Sequence, residues 1–208
     1  MKTIKELMEW RFACKRFDVS KQIPEDVLMD LLDTARLAPS SFGLQAWKFV
    51  VVTNQELKAK LAPAAYNQPQ ITEAAALVFF CARTDVLGAD GVLAKYESLY
   101  KKEHNKTDEE AAGFAKMIEG TWNMKGPEGA VAWVQKQVYI PAEALILAAA
   151  EKGIDSCPME GFDPAGVAAA LGLPANILPT VLVSLGYRNM EQPKKVRFPL
   201  SEVLDLRK

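Results

Sequence analysis

Histidine is almost absent from this 208-residue chain and cysteine is scarce: His104 stands alone, and Cys14, Cys81 and Cys157 are scattered without a C-x-x-C pair. One imidazole and three dispersed thiols cannot build a usual zinc site. A Ser-His-Asp or Cys-His arrangement would have to recruit His104, which lies in the charged run K-K-E-H-N-K (101–106) and reads as an exposed surface residue. Phosphate-cradling glycine loops are missing too. There is no G-x-x-x-x-G-K-[ST], and no G-x-G-x-x-G follows a strand, so neither a P-loop nor a dinucleotide fold of that type is supported. Long apolar runs are lacking: the longest, 74–82 and 141–150, are too short to cross a bilayer. The N-terminus MKTIKELMEW is charged and amphipathic, with no apolar stretch of a secretory signal. Net charge is only −1, from 25 basic and 26 acidic residues, and no basic stripe offers a nucleic-acid footprint. The expectation is a cytoplasmic protein with free thiols, no membrane span and no nucleic-acid partner.

What the chain does have is apolar residues, half of the total, in the pattern of one domain over 1–208. Thr3 and Glu6 form a T-x-x-E capping box at the head of a first helix. Pro24 opens a second, with Val27, Leu28, Leu31, Leu32 and Ala35 as its core stripe. W-K-F-V-V-V-T (47–53) reads as a strand, and Asn54 caps a short helix after it. A-L-V-F-F-C-A (76–82) is continuous rather than alternating, as in a strand covered on both faces. Residues 85–130 are more polar and read as a helical excursion: two exposed helices, the second starting at the Thr107–Glu110 capping box, and a loop through 125–129. Residues 133–152 carry a strong helical signal, with Pro141 either kinking that helix or marking its true start. A short strand at 154–157 leads to a helix between Asp163–Pro164 and Gly172, and T-V-L-V-S-L-G-Y (180–187) is a fourth strand. After it comes a basic tail whose apolar Val196, Phe198, Leu200, Val203 and Leu206 need a surface to cover. The class is α/β or α+β, with helices on both faces of a sheet.

Basic residues cluster at both ends: Arg11, Lys15 and Arg16 in W-R-F-A-C-K-R-F-D, and Lys195 and Arg197 in P-K-K-V-R-F-P. If the fold brings them together, they suit a bound phosphate, since a guanidinium donates two parallel hydrogen bonds to phosphate oxygens. With so little side-chain redox or hydrolytic chemistry available, that points to a borrowed cofactor. Between the clusters, A-P-S-S-F-G-L-Q-A-W (38–47) is either an ordinary loop before a strand or a hydroxyl-rich contact. P-M-E-G-F-D (158–163) is either a turn into a capped helix or a place where backbone N–H groups approach a planar ligand.

Taken with Y-N-Q-P-Q-I (66–71), these segments resemble, in order and spacing, the FMN-dependent nitroreductase family, in particular the bacterial oxygen-insensitive NAD(P)H nitroreductases and dihydropteridine reductases. The resemblance implies an α+β sandwich with a central mixed sheet and an intertwined homodimer that exchanges C-terminal tails. It implies FMN as cofactor, NAD(P)H as reductant, and nitroaromatic, quinone-like or other electron-poor acceptors reduced in a ping-pong order. Flavin reduction, dehydrogenation, dehalogenation or FMN binding without turnover stay open as alternatives on the same fold. By position, Arg11 resembles the phosphate-binding arginine, joined by Lys195 and Arg197, while Phe12 and Ala13 stand beside it where other residues are common. Lys15 resembles the lysine on the flavin's pyrimidine side, where a cation stabilises charge gained on reduction. Asn67 and Gln70 fall at positions that meet the ring or the reductant. Glu160 and Gly161 resemble the pair whose backbone N–H groups face the flavin N5 region, and Pro158 and Met159 precede them in the same cofactor-binding segment. Pro39, Ser40 and Ser41 resemble the segment a partner subunit lays against the cofactor, with Gly43 standing in that loop where the family has an asparagine. No side chain is expected to act as an acid or base. Phe114, Trp122 and Met124 of the excursion are candidate pocket walls.

Overall fold

The computed structural model describes residues 2–208. Four strands form one sheet in the order β1 (Trp47–Val52), β2 (Ala76–Arg83), β4 (Ile177–Gly186), β3 (Asp155–Met159). Alternate residues of β2 enter two separate cores. Val78, Phe80 and Ala82 pack with Leu28, Leu31 and Leu145 on one side; Leu77, Phe79 and Cys81 pack with Phe17, Leu61 and Val167 on the other. The continuous apolar run therefore reflects burial on both faces, as the sequence suggests.

Strand direction differs from expectation. All three pairings are antiparallel, so the sheet is not mixed within the chain; the parallel contact among the described residues is the isolated bridge of Ala13 to Ser156. β4 also begins earlier than position 180. It passes through Pro179, opposite Cys81, at a register shift after Phe80. A proline has no N–H for the ladder, so the strand bulges there and continues.

On one face lie α2 (Glu25–Arg36), α5 (Val92–Glu103), α6 (Asp108–Gln137) and α7 (Tyr139–Glu151); on the other lie α3 (Gln55–Leu61), α4 (Pro69–Glu73) and α8 (Pro164–Leu171). Both capping boxes form, at Thr3 for α1 (Ile4–Trp10) and at Thr107 for α6. The helical signal over 133–152 belongs to two helices that meet at Val138. Pro141 sits in the first turn of α7, where its missing N–H leaves no hydrogen bond unmade. The loop expected at 125–129 is a single break in α6: Gly126 takes φ 66° and ψ 173°, and Pro127 restarts the helix. The tail is exposed and holds one short turn, α9 (Leu200–Val203). Among the described residues no helix is long and apolar enough to cross a membrane.

Candidate active site

The chain leaves α1 at Arg11 in extended conformation, because the peptide N–H of Arg11 is already satisfied by Leu7 O and nothing continues the helix. The next residues run along the sheet end. Ala13 bridges to Ser156, Cys14 N–H donates to Ser156 O at 3.0 Å, and Phe17 pairs with Arg188. Phe12 and Cys14 turn inward and are buried, while Lys15 is exposed.

The two ends of the chain do meet. Lys195 Nζ donates to Met8 O at 2.6 Å and also to Arg11 O, so the tail lysine caps the carbonyl end of α1, where the helix dipole is negative. Burial, then the charges of Arg11 and Arg197, push the Lys195 pKa down against the smaller opposing pull of Glu9. Arg11 Nε is buried with no hydrogen-bond partner. Among the described residues, none of Arg11, Lys15, Lys195 or Arg197 has a carboxylate within ion-pair reach. Their neighbours in sequence are paired. Arg16 holds Glu73 at 2.9 Å, and Arg188 holds Asp155 at 2.6 Å while stacking between Trp10 and Phe12 at 4.4 and 4.7 Å. Clustered like charges without counter-ions repel one another and fit an anionic group of matching charge.

Beside them, β3 ends in Pro158 and Met159, and Glu160 follows. With Tyr139 and Glu143 of α7 these line a cleft of about 310 Å³. Burial raises the Glu143 pKa while Arg11 pulls it down, and burial with the neighbouring Glu160 pushes the Tyr139 phenol up to about 12. Tyr66 and Asn67 both take left-handed backbone (φ 55° and 52°), and Asn67 is exposed at the turn they make. Gln68 ties this turn to the end of β3: its amide donates to Gly161 O at 2.7 Å. Gln70 is buried and donates to Gln68 Oε1 at 3.3 Å. Lys15 Nζ lies 3.2 Å from Cys157 Sγ. Arg11, Phe12, Ala13, Lys15, Gln70 and the 158–161 turn thus share one end of the sheet with Lys195 and Arg197.

The loop of Pro39, Ser40, Ser41 and Gly43 is held elsewhere. Ser41 N–H donates to Gln137 at 2.8 Å, and Phe42 (φ 56°) meets Phe114 and Trp133 edge to face. Gly43 has φ 70°, and a Cβ there would lie 2.5 Å from the Tyr96 hydroxyl. Among the described residues no hydrogen bond or ion pair joins this loop to the cations. Phe114 and Trp122 are half-buried in the aromatic cluster of the excursion, whereas Met124 is exposed.

Sequence reasoning missed Gln68, Gln137, Tyr139, Glu143 and the contact of Cys157. For the α7 pair a signal existed: 139, 142, 143 and 146 recur at helical spacing and share one face. For Gln68 and Gln137, whose partners lie 93 and 96 residues away, no local signal exists.

The nitroreductase family model matches residues 8–187. The chain belongs to the nitroreductase family. Two relatives bear the name "Putative NAD(P)H nitroreductase". One, from Staphylococcus haemolyticus, is 34% identical over 211 residues, 98% of this chain and 96% of the relative. The other, from Bacillus subtilis, is 33% identical over 223 residues, 97% and 96% of the two chains. Among solved structures, a nitroreductase-like protein from Streptococcus mutans superposes with a TM-score of 0.89 at 24% identity, over 98% of both chains. A protein from Exiguobacterium sibiricum, solved in complex with FMN, superposes at 0.85 and 24% identity, over 100% of this chain and 98% of that one. These two structures establish the fold of this nitroreductase-family member.

Proposed function

We propose that this protein is a homodimeric FMN oxidoreductase that uses NAD(P)H to reduce nitroaromatics, quinones or similar electron-poor acceptors. The observation that carries the reading is the meeting of Arg11 and Lys195, from opposite ends of the chain, with Arg197 near enough to act on Lys195 and none of the three ion-paired to a carboxylate among the described residues. The donor set fits a dianionic phosphate: a partly buried guanidinium with one unpartnered N–H, a second guanidinium in solvent, and an ammonium with one donor left. The FMN carried by the Exiguobacterium structure supports the same ligand.

When bound, FMN would supply the two-electron redox chemistry between NAD(P)H and the acceptor, in ping-pong order. The chain's own residues bind and orient. Arg11, with Lys195 and Arg197, holds the phosphate, and Phe12 and Ala13 shape the wall beside it. Lys15 adds positive charge on the pyrimidine side, where Asn67 and Gln70 supply amides. Pro158, Met159, Glu160 and Gly161 form the floor under the reacting edge. No side chain need act as acid or base, since solvent can supply protons. Pro39, Ser40, Ser41 and Gly43 reach the cofactor from the partner subunit, in keeping with their separation from the cations within one chain. The tail supports that dimer. Val196, Phe198, Leu200, Val203 and Leu206 are each at least 67% exposed, while β1 is an edge strand beside apolar Met29, Leu32, Trp47 and Phe49. Three free, buried thiols support a reducing compartment such as the cytoplasm.

The test is optical. The purified protein should be yellow, bleach without oxygen on addition of NADH or NADPH, and recover colour with a quinone or nitrofuran. Colour without bleaching would leave a binding protein and end the enzymatic reading. Arg11→Ala should keep the dimer and weaken FMN by about 100-fold, the size of one charge-assisted contact. Full FMN retention in that variant would overturn the phosphate assignment.

A further inference from the structure

The basic residues near the cleft fall into two kinds. Arg16 and Arg188 are held by carboxylates and carry no net charge into their surroundings. Lys15 is held by something neutral. Its Nζ lies 3.2 Å from the sulfur of Cys157, a residue of β3 with no exposed surface. Burial pushes the Cys157 pKa up, against the opposing pull of Lys15, Arg11 and Gln70, so the thiol keeps its proton near neutral pH. Gln70, 2% exposed, is one of the groups that act on this thiol and is tied through Gln68 to Gly161 O. Lys15 therefore rests on a frame joined to the 158–161 turn, and no member of that frame bears a negative charge.

A flexible lysine has about 2 kcal/mol of rotamer entropy to lose when fixed, and an exposed ammonium prefers water. A carboxylate would fix it but cancel its charge. A thioether or thiol sulfur is a weak acceptor, so it directs the ammonium while leaving the charge free to act on whatever lies beyond. We propose that Cys157 is a positioning residue for Lys15, holding its uncompensated charge at the β3 edge of the sheet. With FMN bound, that charge favours the reduced ring; this consequence rests on the function proposed above, while the positioning itself does not.

Two measurements separate the claims. In the FMN-loaded protein, Lys15→Met should shift the flavin midpoint potential to more negative values. Cys157→Val, which keeps the volume and removes the acceptor, should shift it the same way by at least half as much. Cys157→Ser, which restores an acceptor, should return the potential to that of the native protein. A native potential in FMN-loaded Cys157→Val, alongside a shifted one in Lys15→Met, overturns the positioning role and leaves the flavoenzyme reading intact. An unchanged potential in Lys15→Met removes the electrostatic consequence. The second measurement needs no cofactor. In protein carrying 13C at lysine Cε, the Lys15 resonance, assigned by its loss in Lys15→Met, should move to the position of solvent-exposed lysines in Cys157→Val and remain in place in Cys157→Ser. If it does not move in Cys157→Val, the inference fails even in protein that binds no flavin; if it moves while the protein takes up no FMN, the inference stands and the function reading falls.

Discussion

At the scale of single residues, what distinguishes the cations of this site from other basic residues is the company each keeps. Arg188 and Arg11 lie close together and play opposite roles in the fold. Asp155, 3% exposed, accepts from the Arg188 backbone N–H at 2.9 Å and from its Nε at 2.8 Å. The guanidinium lies over Trp10 and Phe12, the two residues that flank Arg11. This buried pair therefore anchors the segment that presents Arg11. Asp155→Ala would leave a half-buried guanidinium without its counter-charge, and removing one partner of such a pair costs about 3–5 kcal/mol. The urea midpoint should fall accordingly, with Asp155→Asn falling less because its amide oxygen still accepts. A loss under about 1 kcal/mol in the alanine variant would show that stacking on the aromatics, not the ion pair, fixes the segment. None of this was legible in sequence. Arg188 was not singled out, because its carboxylate partner stands 33 residues away. The motif residues were legible because their type and order, not their contacts, carried the information.

Secondary-structure elements were read well wherever a boundary has a local cause. The boxes at Thr3 and Thr107, the Asn54 cap, and the Asp163–Pro164 start with its Gly172 stop all lie where local chemistry puts them. Readings failed where the cause is tertiary. Burial pattern reports how many faces of β2 are covered but not the direction of its neighbours, so the antiparallel order was hidden. The kinked helix α6 shows how one residue type can have opposite effects along one element. Gly113 and Gly120 are exposed helical positions where a Cβ would meet nothing, so no packing demands glycine there. Glycine inside a helix costs about 0.5–1 kcal/mol relative to alanine. Gly113→Ala and Gly120→Ala should each stabilise α6 by that amount, seen as slower amide exchange in the excursion. Gly126, at φ 66° and ψ 173°, occupies backbone that alanine avoids, so Gly126→Ala should speed exchange there instead. Faster exchange in all three variants would mean that the glycines serve a motion of the excursion that the static fold does not display.

For the molecule as a whole, the sequence announced that its two ends would converge, and they do, at Arg11 and Lys195. What covers the rest of the tail is legible only as an apolar stretch without a local partner, and in the dimer proposed above a second copy would supply that surface. Phe198, Leu200, Val203, Leu204 and Leu206 are all at least half exposed in the single chain. Burying such side chains is worth about 1.5–3 kcal/mol each, so two exchanged tails would contribute on the order of 10 kcal/mol to a dimer before the entropy of ordering them is subtracted. Deleting residues 198–208 keeps Lys195 and Arg197, and with them the contact to α1, while removing this apolar surface. On the dimer proposed above, the truncated protein should sediment as a monomer, or in a monomer–dimer equilibrium, at micromolar concentration, and the full chain as a dimer. Its melting temperature should be lower, and FMN should be lost if, as proposed, the Ser40–Ser41 loop of a second copy completes the site. A truncated chain that stays dimeric and melts with the full-length protein would show that the tail does not hold the dimer together. The interface would then rest on the exposed apolar residues of α1 and α7, Ile4, Met8 and Ile140.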